Sequence, residues 1–366
     1  MLSLMDPFNP YILIWITFSL FANIIVANFW HKGLHLKLGL NKKYKAIQRI
    51  HLNEVPRLGG LIFISSLALF AFYSESNDEI LLLRFILICL IPIFFTGLSE
   101  DIFNNVKPIM RLVSIILAAL FFCVEYVGPF PTLINEPFIG KLFSLKGGAT
   151  FFYILSIAAI TNGMNLVDGV HGLCASLALT ILGSVLILSF STGDTLMVSV
   201  IFNVIIFLLP FLIVNYPSGR IFLGDLGSYA LGFIISVLII IFFGRHPEVS
   251  PWVAVLILIY PITEVTFSLL RRFIKGDSIF KPDTDHLHFR LFYFFRAKKI
   301  FKKIANPIVM PLLSPFWLFP LVASCLFFQK LEYIRLAILL FVASYGFFYS
   351  SLSSKKKIRQ LYKAID

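Results

Sequence analysis

The chain has 366 residues, of which 58% are hydrophobic and only 14% charged; its mean hydropathy is +0.90 and its formal net charge +12. Soluble domains carry about a quarter charged residues, so this composition excludes a soluble fold and predicts an all-α, polytopic integral membrane protein. The basic excess is what cytoplasmic loops accumulate, so no nucleic-acid partner is expected.

A spanning helix needs about 20 apolar residues. Candidates run over 11–30, 60–74, 80–98, 112–128, 149–161, 173–190, 195–214, 228–243, 252–270, 308–328 and 332–352, about 11 transmembrane helices. Cysteines 89, 123, 174 and 325 fall in or beside these runs, which suits core packing rather than disulfides or zinc. Alternate loops, beginning after the first span, hold 25 of the 31 Lys and Arg. Seven lie in 31–58, ten in 271–303 and five after residue 352. The bias puts the N-terminus outside and the C-terminus in the cytoplasm. The stretch 291–304, "LFYFFRAKKIFKKI", mixes aromatic and basic residues and reads either as an interfacial helix on anionic headgroups or as an ordinary basic loop.

Four polar stretches fall on the expected cytoplasmic side, and nothing comparable is read in the outer loops. The first is "GLSEDIFNNVKPIMRL", residues 97–112. Glu100 and Asp101 are adjacent carboxylates that a divalent cation would join, and Lys107 and Arg111 suit an anion. The second, "TNGMNLVDGVHGLC", residues 161–174, reads as a Gly-loosened turn. Asn162 and Asn165 offer amides, Asp168 a carboxylate and His171 an imidazole. In the third, "FLGDLGSYALGF", Asp225 is either the cap of the eighth span or a ligand, with glycines that let a phosphate or metal approach the helix start. In the fourth, "KPDTDHLHFRL", His286, His288 and Arg290 alternate. An extended segment would put all three on one side; a helix would scatter them. They suit a phosphate, or two imidazoles suit a transition metal. Glu264 lies within an apolar run, about 10 Å from its end, and an intramembrane carboxylate points to function or to a basic partner.

Together with "HLNEVPRLGGL", residues 51–61, and "YPITEVTFSLLRRFIKGDSIFKPDTDHLHFRL", these motifs resemble the polyprenyl-phosphate N-acetylhexosamine-1-phosphate transferases over nearly the whole chain. The His-Leu-His-Phe-Arg ending is closer to the WecA/WbpL/TagO-like branch than to the lipid I branch. The resemblance implies one membrane transferase domain over 1–352 with a basic cytoplasmic tail over 353–366, in a bacterial inner membrane, its active site facing the cytoplasm. It implies transfer of a sugar-1-phosphate from a UDP-N-acetylhexosamine to undecaprenyl phosphate, starting O-antigen or a related envelope polysaccharide. Mg²⁺ is the implied cofactor, with Mn²⁺ as its substitute, and membrane lipids and a second copy in a homodimer are further expected partners. Carried over residue by residue, Asp225 and Asp101 would hold the metal. Glu100, Asp101 and Asp168 would serve the chemistry. His51, Lys107, Asn162, Asn165, His171, His286, His288 and Arg290 would bind substrate. Three positions depart from the family pattern: Glu100 and His171 stand where Asp is usual, and Phe289 where His is usual. The competing readings are a transporter or flippase, which would carry polar groups along a path through both leaflets, and a membrane metallohydrolase using His286 and His288.

Overall fold

The computed structural model describes residues 10–30, 55–132, 139–276, 285–298 and 304–352. Among these the chain is helical, with no strand. In chain order the helices are α1 (Pro10–Phe29), α2 (Gly59–Tyr73), α3 (Asp78–Cys89), α4 (Ile91–Phe103), α5 (Pro108–Glu125), α6 (Ile139–Phe143), α7 (Gly148–Val167) and α8 (Leu173–Thr192). They continue as α9 (Thr195–Asn215), α10 (Gly224–Arg245), α11 (Pro251–Ile257), α12 (Ile259–Lys275), α13 (Leu287–Arg296), α14 (Val309–Phe327) and α15 (Leu331–Ser351). Eight of the described helices are long and apolar enough to cross a membrane, or ten if two bent pairs each count as one span. Eleven spans were expected; the segment at 60–74 forms α2, whose 15 residues fall short of a full crossing.

Both broken spans have a proline just past the break. The run at 80–98 bends by 54° at Leu90, and Pro92 opens the second half, α4. The run at 252–270 bends by 72° at Leu258, and Pro261 has no N–H for the Ile257 carbonyl. The expected turn at 161–174 is shorter than its sequence suggests. Helix α7 continues through Asn162 and Asn165 to Val167, because Gly163 packs against Pro261 and Val265 of α12 and the Asn162 amide bonds its own helix at the Ala158 carbonyl, 2.8 Å.

Helix α10 is the axis of the molecule. It is apolar all round, which marks a core helix, and every residue from Gly224 to Gly244 is buried. Helices α2, α4, α7 and α8 surround it. Lipid tails are as apolar as a Leu side chain, so close van der Waals packing has to hold these helices together. Small residues permit it: Gly60 meets Gly227 backbone to backbone, Gly97 lies on the Leu226 Cα, and Gly232 on the Thr161 Cα. The outward faces of α1, α5 and α15 present Phe21, Leu117 and Leu339.

Candidate functional site

The N-terminus of α10 gathers the charge. Gly224 takes φ +76°, and a Cβ there would lie 2.5 Å from the Asp101 carboxylate, so only glycine fits. The Asp225 and Leu226 amides donate to Asp101 Oδ1 and Oδ2 at 2.8 and 2.9 Å. Asp225 therefore sits in the first turn instead of capping it, and α4 supplies the cap from outside the helix. Those amides are taken, and a phosphate does not find them free. The Asp225 carboxylate faces two guanidiniums: Arg111 Nη1 lies 2.6 Å from Oδ2 and Arg57 Nη2 3.5 Å from Oδ1. Arg57 also reaches Asp101 at 3.8 Å, and Arg111 reaches Glu100 at 3.8 Å. Glu100 accepts from the Val106 amide, 2.9 Å, so the two neighbouring carboxylates turn to different partners.

Arg57 is brought in by backbone. The Gly59 and Gly60 amides donate to the Phe222 and Leu223 carbonyls at 2.9 and 2.8 Å, and the Phe222 amide to Pro56, 2.8 Å. Burial disfavours the Arg57 charge, but Asp225, Asp101, Asp168 and Glu100 outweigh it and raise its pKa. Arg57 was not among the expected site residues, and Arg111 was expected only to meet an anion. The signal for Arg57 was an arginine at the start of an apolar run, as Arg111 is. Lys107, which was expected, is exposed at the start of α5. His51 lies outside the described residues.

Asp168 follows α7 beside this cluster. Its half-buried carboxylate has no hydrogen bond or ion pair to a described residue. Burial pushes its pKa up to about 7, Arg57 pulls it down and Asp225 pushes it up. Asn165 donates to Ser228 on α10, 2.8 Å, which ties this end of α7 to the axis. His171 holds the loops together: its amide donates to Asn306 Oδ1, 2.8 Å, and its Nδ1 lies 2.9 Å from the Pro217 carbonyl. Burial lowers its pKa, with the Pro217 carbonyl acting the other way.

The described part of the fourth motif opens α13: His286 is its extended N-cap, φ −85° and ψ 155°, and His288 and Arg290 lie in its first turn. His286 and His288 stack with parallel rings, centroids 5.6 Å apart. Arg290 turns away to Asp285, 2.7 Å, and to the carbonyl and hydroxyl of Tyr349 on α15, at 3.0 and 2.6 Å. Glu264 does have a partner: its Oε2 lies 2.8 Å from His286 Nδ1.

Four carboxylates, Glu100, Asp101, Asp168 and Asp225, face two guanidiniums here, an excess of two negative charges when all are ionised. Among the described residues no three His, Cys, Asp or Glu form a set that could hold a metal alone. Mg²⁺ does not need one, because it binds through one or two carboxylates together with substrate phosphates and water. The hard oxygen donors fit that ion.

The family model for "Glycosyl transferase family 4" matches residues 83–243, from within α3 to the end of α10. The chain is 31% identical, over 68% of its own length and 68% of the relative's, to the "Probable undecaprenyl-phosphate N-acetylglucosaminyl 1-phosphate transferase" of Bacillus subtilis strain 168. It is 26% identical, over 75% and 74%, to the "Undecaprenyl-phosphate alpha-N-acetylglucosaminyl 1-phosphate transferase" of Salmonella typhi. It is 27% identical, over 65% and 77%, to the "Phospho-N-acetylmuramoyl-pentapeptide-transferase" of Latilactobacillus sakei.

Proposed function

We propose that this chain, which belongs to glycosyl transferase family 4 and to its polyprenyl-phosphate sugar-1-phosphate transferases, moves an N-acetylhexosamine-1-phosphate from a UDP-sugar to undecaprenyl phosphate and releases UMP. The product starts a cell-envelope polysaccharide, O-antigen or a related polymer, at the cytoplasmic face of a bacterial inner membrane. The observation that carries the reading is Asp225 held between Arg57 and Arg111 at the head of the buried α10.

Both substrates are anionic. An oxygen of the lipid phosphate attacks the β-phosphorus, the bond from that phosphorus to the bridging oxygen breaks, and UMP leaves with the electron pair. The protein's task in such a transfer is positioning and charge stabilisation. Arg57 and Arg111 are placed to take phosphate oxygens in forked hydrogen bonds once they leave Asp225. Asp168, with a pKa near 7 and no hydrogen bond or ion pair to a described residue, is suited to receive the acceptor's proton. The second pKa of a phosphomonoester is about 6, so a stronger base is not needed. Asp225, with the remaining lone pairs of Asp101, would hold Mg²⁺, which when bound neutralises diphosphate charge.

The test supplies purified protein with UDP-GlcNAc, UDP-GalNAc, undecaprenyl phosphate and Mg²⁺ and measures UMP. Lipid-dependent release is expected; no release with any UDP-N-acetylhexosamine overturns the reaction. A phospho-enzyme trapped from UDP-sugar without lipid would overturn direct attack. A transporter would want polar groups along the span, whereas from Ala230 to Gly244 the polar side chain on α10 is Ser236, bonded to its own helix at Gly232.

A further inference from the structure

Glu264 touches none of the groups given a role in the proposed reaction, yet it is a fully buried carboxylate in the second half of a broken span. A charge there is costly and is kept for a purpose or a partner. Its partner is the imidazole of His286, itself 1% exposed, at 2.8 Å from Nδ1. A carboxylate on Nδ1 fixes the tautomer and ring orientation of a histidine and leaves Nε2 as the active edge. That ring lies parallel to His288. His288 in turn is packed on Gly169: a Cβ at Gly169 would collide with His288 Nε2 and meet Phe289 at 2.9 Å. Gly169 directly follows Asp168. On the other side, Pro261 and Val265 of the same α12 press on Gly163, in the last turns of α7. The end of α7 and the turn after it are therefore gripped from two sides, by α12 directly at Gly163 and by His288 of α13 at Gly169, with Glu264 lying between Pro261 and Val265 and reaching α13 through His286.

Direct contact of this histidine pair with an anionic substrate does not match the geometry. His286 and His288 are sealed from solvent, and neither ring nitrogen of His288 has a hydrogen-bond partner among the described residues. Burial also pushes the His288 pKa down to about 3, which keeps it neutral. A plain apolar wedge would be served better by Phe than by His, since unpaired buried nitrogens cost stability. The polar ring edge is explained if it orders the backbone of the turn or a group that enters there.

We propose that Glu264 is a positioning residue for donor binding, acting through His286 and His288 to set the Asp168–Gly169 turn. The inference rests on reading that turn as part of the UDP-sugar site. UDP-GlcNAc affinity is measured by titration of purified protein, beside KM for donor and for lipid and the melting temperature. Glu264→Leu should weaken UDP-GlcNAc binding and raise donor KM by about 10- to 100-fold, the scale of losses when an outer support is removed. Lipid KM should stay within about twofold, as expected when only donor binding is touched. Glu264→Gln, which can still accept from Nδ1, should recover most of the loss. A Glu264→Leu protein that melts earlier but binds UDP-GlcNAc as the wild type does overturns the proposal. So does a loss confined to kcat. If Glu264→Leu does not fold, Gly169→Ala disturbs the same contact from the turn, and unchanged donor affinity in it is equally fatal. Failure of the underlying reading shows itself separately, as wild-type protein that binds neither UDP-GlcNAc nor UDP.

Discussion

The two ends of α10, about 30 Å apart by helical rise, both hold ionic clusters and treat charge in opposite ways. At the far end Asp194, its side chain 1% exposed, receives Arg245 in a fork at 2.7 and 3.0 Å and also meets His246 at 2.9 Å. The same carboxylate caps α9 at the Met197 amide, 3.1 Å, and His246 passes on to Glu248, 2.9 Å. Every group there has a partner at hydrogen-bond distance. At the Asp225 end one ion pair is close and three lie at 3.5 to 3.8 Å. A structural cluster closes its contacts on itself; a working site leaves them long enough for substrate or cation to enter.

That contrast breaks first at Asp225. Asp225→Asn should lower UMP release on the order of 10³-fold, as loss of a central phosphoryl-transfer group does, while the melting temperature barely moves. Wild-type turnover in that variant would reduce the Asp225 end to a structural cluster like the other. Arg111→Gln should cost about 10²-fold in kcat, the scale of a lost charge-stabilising donor, and Arg111→Lys should not restore the fork. At the far end Asp194→Ala should cost about 2 kcal/mol of stability by thermal melting, with donor KM unchanged. This is toward the low side for a broken buried pair, because Arg245 is 37% exposed and water screens it. A changed donor KM would show that the ends are coupled.

The most gradual effect is in pH. Asp168 holds its proton more tightly folded, with a pKa of about 7, than unfolded, near 3.8. Raising pH from about 4 to 7 therefore removes stability, by no more than ~1.4 kcal/mol per unit, and Asp168→Asn should flatten that slope. Asp194 behaves oppositely. Burial works against its charge, but Arg245, His246 and the Met197 amide hold its carboxyl below 3.8. Its contribution is present above 3.8 and is lost as pH falls through its folded value. Melting curves across pH in the two single variants separate the contributions.

Much of the Asp225 end could be read from the chain, because acidic and Gly-rich motifs interrupt apolar runs there. The far cluster could not. Asp194 and Arg245 are 51 residues apart, each a lone charge at a loop, and the outer side was read as holding nothing comparable. The pairing of Glu100 with Asp101 misled in a different way. Successive residues on a helix point about 100° apart, so sequence neighbours reach different partners. The breaks at Leu90 and Leu258 were hidden because hydropathy stays high across them, and Pro92 and Pro261 were the available signals. The length of α7 was underestimated because its Asn and Gly residues look like a loop until α12 is packed against them.

The complete enclosure of α10 has a chemical consequence. A reactive probe dissolved in the bilayer should label the outward faces of α1, α5 and α15 and leave α10 dark, although α10 is among the most apolar segments of the chain. Asp225 thus hangs from a rod insulated from the lipid around it. A change of bilayer composition would then reach the carboxylate chiefly through what arrives at its end, and hardly through the helix that carries it.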